Sequence, residues 1–149
     1  MAQPPLSLTG RALRLLGSRE HSRAELEKKL QPHETEPGAL AKVLDTLQAK
    51  GFINEERVLE SVLHRRAAKL GTQRIKQELR AKGLDPAAVA QAVDQLRGSE
   101  LERAREVWRK KFGVPPVDAA ERAKQLRFLA SRGFAGDILH RVVSDPDDD

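Results

Sequence analysis

The segment "EPGALAKVLDTL" (residues 36–47) returns 49 residues later as "DPAAVAQAVDQL" (residues 85–96). Five of the twelve positions are identical: Pro37/Pro86, Ala39/Ala88, Ala41/Ala90, Asp45/Asp94 and Leu47/Leu96. Another step of 49 reaches "FAGDILHRVVSD" from Phe134, where Ile138 and Val142 stand for Val89 and Val93. The stretch before also recurs: Leu26 and Leu30 match Ile75 and Leu79, and Leu129 joins them after a one-residue shift. Apolar residues recur three and four apart throughout, as in Leu40/Val43/Leu44/Leu47, Val58/Val62 and Val89/Val93/Leu96, and no stretch alternates with period two. The chain therefore reads as about nine short helices and no sheet. Helices that short cannot bury an apolar stripe alone, so each unit must pack its own helices together and against a neighbour. The expected fold is all-α, as three tandem three-helix repeats. The borders are a flexible N-terminus at 1–8, repeats at 9–50, 51–98 and 99–144, and an acidic tail at 145–149.

Local punctuation supports this. Ser22-x-x-Glu25 and Ser99-x-x-Glu102 are capping boxes and Asp118-x-x-Glu121 is the aspartate version. Asp85-Pro86 sets a capping carboxylate before a proline whose missing N–H costs nothing at the first helical position. "LQAKGF", "LRAKGL" and "LASRGF" share a leucine, a basic residue, a glycine and an apolar residue. With Gly51, Gly83 and Gly133 left-handed, each is a Schellman helix stop that pairs Leu47 with Phe52, Leu79 with Leu84, and Leu129 with Phe134. Lys50, Lys82 and Arg132 then sit at the negative end of a helix dipole.

Aromatic residues are 3% of the chain, so Leu, Val and Ala must do the packing. There is no cysteine, which removes disulfides and thiolate chemistry. No apolar run approaches the ~20 residues of a membrane span, and the N-terminus lacks a secretory pattern, so a cytoplasmic protein is expected. The net charge is +5 but unevenly placed. Residues 61–84 carry seven Lys/Arg and one acid, residues 103–132 nine and three, and "SDPDDD" ends the chain. Two basic regions point to a polyanion or an acidic protein surface as partner; the tail is expected to compete for the basic face. The four histidines are never three or four apart, so no zinc pair on one helix is offered. No phosphate loop, nucleophile elbow or paired-carboxylate motif is present, so no enzyme, cofactor or metal site is expected. Trp108 reads as core.

Two resemblances follow from particular residues. "SRAELEKKL…ALAKVLDTLQAKGFIN" (residues 22–54) resembles the helix-turn-helix part of winged-helix transcription regulators. Lys42, Asp45, Thr46 and Gln48 would then face duplex DNA, and a β-hairpin should follow Asn54. A longer resemblance, over residues 13–143, is to the RecX family. It is carried in order by "SREHSRAELEKKL", "LQAKGFINEER", "GTQRIKQELRAKGLD", "REVWRKKFG" and "RFLASRGFAGDIL". That family usually has an aromatic–alanine pair where this chain has Val58-Leu59, and often a proline where it has Thr72. The resemblance implies an elongated, curved body of tandem three-helix repeats. It also implies a non-enzymatic, monomeric regulator that binds the RecA–DNA filament, with possible contact to single- or double-stranded DNA, and inhibits RecA. A helical adaptor with another acidic protein partner is the third reading.

The residues expected to meet the partner form short basic rows. Arg65 and Lys69 are four apart with Arg66 beside them; Lys76 and Arg80 repeat the spacing, flanked by Arg74 and Lys82. Arg105 and Arg109 repeat it again, followed by Lys110 and Lys111. Lys124 and Arg127 are three apart, with Arg122 and Arg132 near in sequence. Rows of this kind give salt-sensitive binding.

Overall fold

Both copies of the repeated segment are helical. In the computed structural model, which describes residues 6–144, the order is α1 (Leu8–Ser18), α2 (Arg23–Leu30), a 3-10 turn (Gln31–His33), α3 (Ala39–Ala49) and α4 (Glu55–Arg66). There follow α5 (Thr72–Ala81), α6 (Pro86–Lys111), α7 (Ala119–Ser131) and α8 (Gly136–Val142). No strand occurs among the described residues. Most of the N-terminal segment and all of the acidic tail expected from the sequence lie outside the described residues.

The caps explain where most helices begin and end. Ser22 Oγ accepts from Glu25 N at 3.1 Å while Glu25 Oε1 accepts from Ser22 N at 3.1 Å, a complete capping box. Asp118 Oδ1 accepts from Glu121 N at 2.8 Å. Gly51, Gly83 and Gly133 all have positive φ. At Gly51 and Gly133 the Schellman bonds are present: Phe52 N to Leu47 O, 2.9 Å, and Phe134 N to Leu129 O, 3.4 Å. Phe52 nevertheless stays 48% exposed, so its backbone closes the turn without its ring being buried.

Two expectations need correction. Ser99 does not start a helix: α6 is continuous for 26 residues. Gly98 costs that helix only about 1 kcal/mol, and Leu96, Arg97, Glu100 and Leu101 around it are good helix formers. The Ser99 hydroxyl donates back to Leu96 O at 3.2 Å and accepts from Arg103 Nε at 3.0 Å. Eight helices thus build three three-helix repeats because α6 serves the second and the third. Secondly, Lys69 does not continue a face with Arg65. α4 ends at Arg66, whose carbonyl takes both Lys69 N and Leu70 N. The segment after Asn54 is helix α4, as the Val58/Val62 spacing implies, and the hairpin that a winged helix would need is not there.

The chain divides into two units, residues 1–61 with 81–85 and residues 62–80 with 86–149. Unit 1 has a core of Ala12, Leu26, Leu30, Leu40, Leu44, Leu47 and Ile53. In unit 2, Ala104, Leu129, Phe134, Ile138, Leu139 and Val143 form a core against which Trp108 packs. The Trp108 indole N–H donates to Gln125 Oε1 at 2.8 Å, and Gln125, 1% exposed, donates to Val114 O at 3.1 Å.

Two charged residues one turn apart on α6 organise unit 2. Glu100 is buried and takes Thr72 N at 3.4 Å and Ala135 N at 3.3 Å, one at the start of α5 and one at the cap of α8. A carboxylate suits those positive helix ends. Arg103 donates to Ala67 O (3.0 Å), Leu70 O (2.7 Å), Thr72 Oγ1 (3.0 Å) and Leu96 O (3.0 Å), where the α4 carbonyls run out. Thr72 supplies an N–H and a hydroxyl here, and a proline would supply neither.

Candidate partner-binding surface

The two units differ in charge. Unit 1 holds ten Lys/Arg and ten Asp/Glu. Unit 2 holds seventeen Lys/Arg against twelve Asp/Glu, four of these being Asp145, Asp147, Asp148 and Asp149. The whole net charge of the chain therefore belongs to unit 2, and its folded helices are more basic than the total suggests.

Fourteen of the fifteen basic residues expected at the surface lie in unit 2, and the exception is Lys82. Lys82 is 8% exposed, its Nζ 3.1 Å from Glu25 Oε1 and its carbonyl bonded by Ser22 Oγ at 2.6 Å. It belongs to the interior of unit 1, with no free ammonium to offer. In the same network burial pushes the Glu25 carboxyl up, but Arg19, the Ser22 N–H and Lys82 outweigh burial and hold it at about 2.

Arg65, Lys69, Arg80, Arg105, Lys110, Lys124 and Arg127 are exposed, and among the described residues no ion pair or side-chain hydrogen bond holds them. Others are engaged. Arg66 pairs with Glu78 at 3.2 Å, Arg109 with Glu106 at 2.7 Å, and Arg122 Nη2 lies 3.1 Å from His140 Nδ1. Lys76 is half-buried on α5. The structure also gathers residues the sequence kept apart. Lys111 Nζ lies 5.2 Å and Arg132 Cζ 4.9 Å from the centroid of the Phe128 ring, whose quadrupole attracts both cations. The Phe112 ring meets Phe128 edge-on at 5.5 Å. Arg74 Nη1 donates to Ser131 O at 3.0 Å, so the start of α5 joins the same end of α7.

Sequence reasoning missed the Arg103 role. Its position within a basic region gave it no distinction from its neighbours; its bonds reach residues 31 to 36 positions away as well as its own helix. Arg97 and Arg141 are further exposed cations of unit 2 that no row singled out. Among the described residues no group of His, Asp and Glu is placed to hold a metal ion, and no helix is long and apolar enough to cross a membrane. Of the residues expected to read duplex DNA, Asp45 pairs with Arg23 at 2.7 Å and Gln48 accepts from Arg23 at 2.9 Å.

Family models match the chain three times in order: RecX, first three-helix domain, over residues 10–47; second three-helix domain over 54–93; third three-helix domain over 99–143. The chain belongs to the RecX family. The second and third matched domains share α6, as the fold requires. Among RecX relatives, Regulatory protein RecX of Leptothrix cholodnii is 55% identical over 95% of this chain and 90% of its own length. Regulatory protein RecX of Ralstonia nicotianae is 46% identical over 99% and 94%. A crystal structure of RecX from Lactobacillus salivarius shares the fold with a TM-score of 0.68 at 21% identity, covering 94% of each chain. Another RecX crystal structure gives 0.71 at 20% identity over 91% of this chain and 70% of that one.

Proposed function

We propose that this RecX-family chain is a non-enzymatic, monomeric regulator of homologous recombination that acts in the cytoplasm, binding the RecA–DNA filament and inhibiting RecA. The observation that carries the reading is the confinement of the net charge to unit 2, where seven exposed cations have no ion-pair or side-chain hydrogen-bond partner among the described residues. Such a surface answers a polyanion, and a recombinase filament on DNA is one. A sequence-specific duplex reader is disfavoured by helix α4 where a wing should stand and by the engagement of Asp45 and Gln48.

The test is RecA-driven ATP hydrolysis on single-stranded DNA, with filament co-sedimentation beside it. Near-stoichiometric amounts of the chain should slow hydrolysis and sediment with the filament. Reversing the charge of Arg65, Lys69 and Arg80 together should weaken both effects and flatten the dependence on salt. Unaffected hydrolysis together with a sequence-specific footprint on duplex DNA would sink the reading.

A further inference from the structure

Unit 1 is neutral as a whole, but its charges are sorted. Four of its basic residues hold four of its ten carboxylates: Arg57 holds Glu20, Arg19 and Lys82 hold Glu25, and Arg23 holds Glu27 and Asp45. Glu34 is turned to the start of α3, accepting from Leu40 N at 2.8 Å. Arg11, Arg14 and Lys29 are outside these pairs, and they converge. Arg11 and Arg14 of α1, Lys29 of α2 and His33 of the 3-10 turn line one cleft of about 190 Å³. Among the described residues no carboxylate lines it; the remaining walls are Leu6, Leu15 and Leu30.

We propose that this cleft binds a phosphate group. Arg11 and Arg14 are one turn apart on α1, so two guanidinium forks reach the same space, and such forks match the oxygens of a phosphate. Neither side chain has a hydrogen bond or ion pair among the described residues. Lys29 is held in place, its Nζ 3.1 Å from Nε2 of the buried His21. The last carbonyls of α2 put roughly half a negative charge nearby, which steadies Lys29 and is outweighed by the remaining cations. The volume is below the ~300 Å³ at which pockets begin to enclose whole drug-sized ligands, so the cleft takes one group. Leu6, Leu15 and Leu30 offer an apolar wall to whatever carries it, which suits a sugar edge or base better than free ion alone. Phosphate is favoured over carboxylate because it has more oxygens and more charge to share among several donors. The site lies wholly in unit 1, and the inference stands apart from the filament reading.

The experiment is nuclear magnetic resonance on the isotopically labelled full chain. Inorganic phosphate, a 5′-phosphorylated dinucleotide, its 5′-hydroxyl counterpart and a short polyglutamate peptide are titrated in turn. Phosphate should shift the Arg11 and Arg14 guanidinium signals and the His33 ring together. Arg11→Gln with Arg14→Gln should weaken that response about tenfold or more, as loss of charge-assisted hydrogen bonds does. The exposed Arg14→Gln alone should weaken it in the same direction and serves if the double variant melts early. A response to the phosphorylated dinucleotide alone assigns the site to terminal phosphates; equal responses to both assign it to the diester backbone. No local response, a response indifferent to both substitutions, or a stronger one to polyglutamate overturns the proposal.

Discussion

The backbone of Gly71 rests on the backbone of Gly133 with no room for a side chain. Gly71 N donates to Arg132 O at 2.7 Å, and a Cβ on Gly71 would stand 2.3 Å from the Gly133 carbonyl carbon. Because neither atom belongs to a flexible side chain, one of the two segments would have to move. Gly71→Ala is expected to destabilise the protein by roughly 2–4 kcal/mol, in the range of overpacked sites. Urea denaturation measures this, and a change under 1 kcal/mol would show that the two segments are not locked. Gly98 supplies the contrast. It lies inside α6 and a Cβ there would meet nothing within 4 Å. Gly98→Ala should stabilise by about 0.5–1 kcal/mol through higher helix propensity.

Arg103 gathers carbonyls from the turn that follows α4 and from its own helix, and Lys cannot reproduce a planar fork with five donors. Arg103→Lys is expected to cost on the order of 2 kcal/mol, because buried carbonyls lose partners. Hydrogen exchange should quicken first at the end of α4, around Ala67 and Leu70. Equal protection in variant and parent would refute this role.

Acid should loosen unit 1 in two stages. Burial, together with the charges of Arg19 and Lys29, holds the His21 ring below its usual 6.5, against its hydrogen bond to Arg19 O and the charge of Glu25. Below that pH the unfolded chain takes up a proton that the folded one resists, so stability falls as pH falls. Glu25, held at about 2 against 4.5 when unfolded, adds a second loss as pH drops below roughly 5. Unfolding free energy measured in urea between pH 7 and pH 3 should therefore decline throughout. Glu25→Gln should flatten the lower part and cost about 2–3 kcal/mol at neutral pH. An unchanged slope below pH 5 in that variant would disprove the assignment.

Lys82 and Arg80, two residues apart, should behave oppositely. Lys82→Ala leaves Glu25 without one of its partners and should lower stability by roughly 1–3 kcal/mol. Arg80→Ala should change stability by less than about 0.5 kcal/mol and weaken filament binding. Equal loss of binding from both, with equal stability, would mean that Lys82 is free in solution after all.

The helices and most of their ends were legible in the sequence because the signals are local. Ser22 and Glu25 meet three residues apart, and Gly133 needs only its own φ to stop α7. Ser99 shows where such reading fails. Its motif is the same as at Ser22, but whether the chain bends there depends on Arg103 and on what Arg103 reaches. The basic surface was half legible for the same reason. A count of Lys and Arg locates unit 2, yet cannot tell Lys82 from Arg80, since Glu25 is 57 positions from Lys82. The cleft of Arg11, Arg14, Lys29 and His33 was invisible, because three separate elements bring those side chains together.

The length of α6 limits how the chain can change. A single residue inserted near Gly98 would turn Arg105 and Arg109 by about 100° relative to Val89 and Leu96. Glu100 and Arg103 could then no longer meet the ends of α4, α5 and α8 together. Substitution in this stretch is a local matter, while insertion or deletion is a change of reading frame in three dimensions. Loops such as that between α6 and α7 are where length can vary.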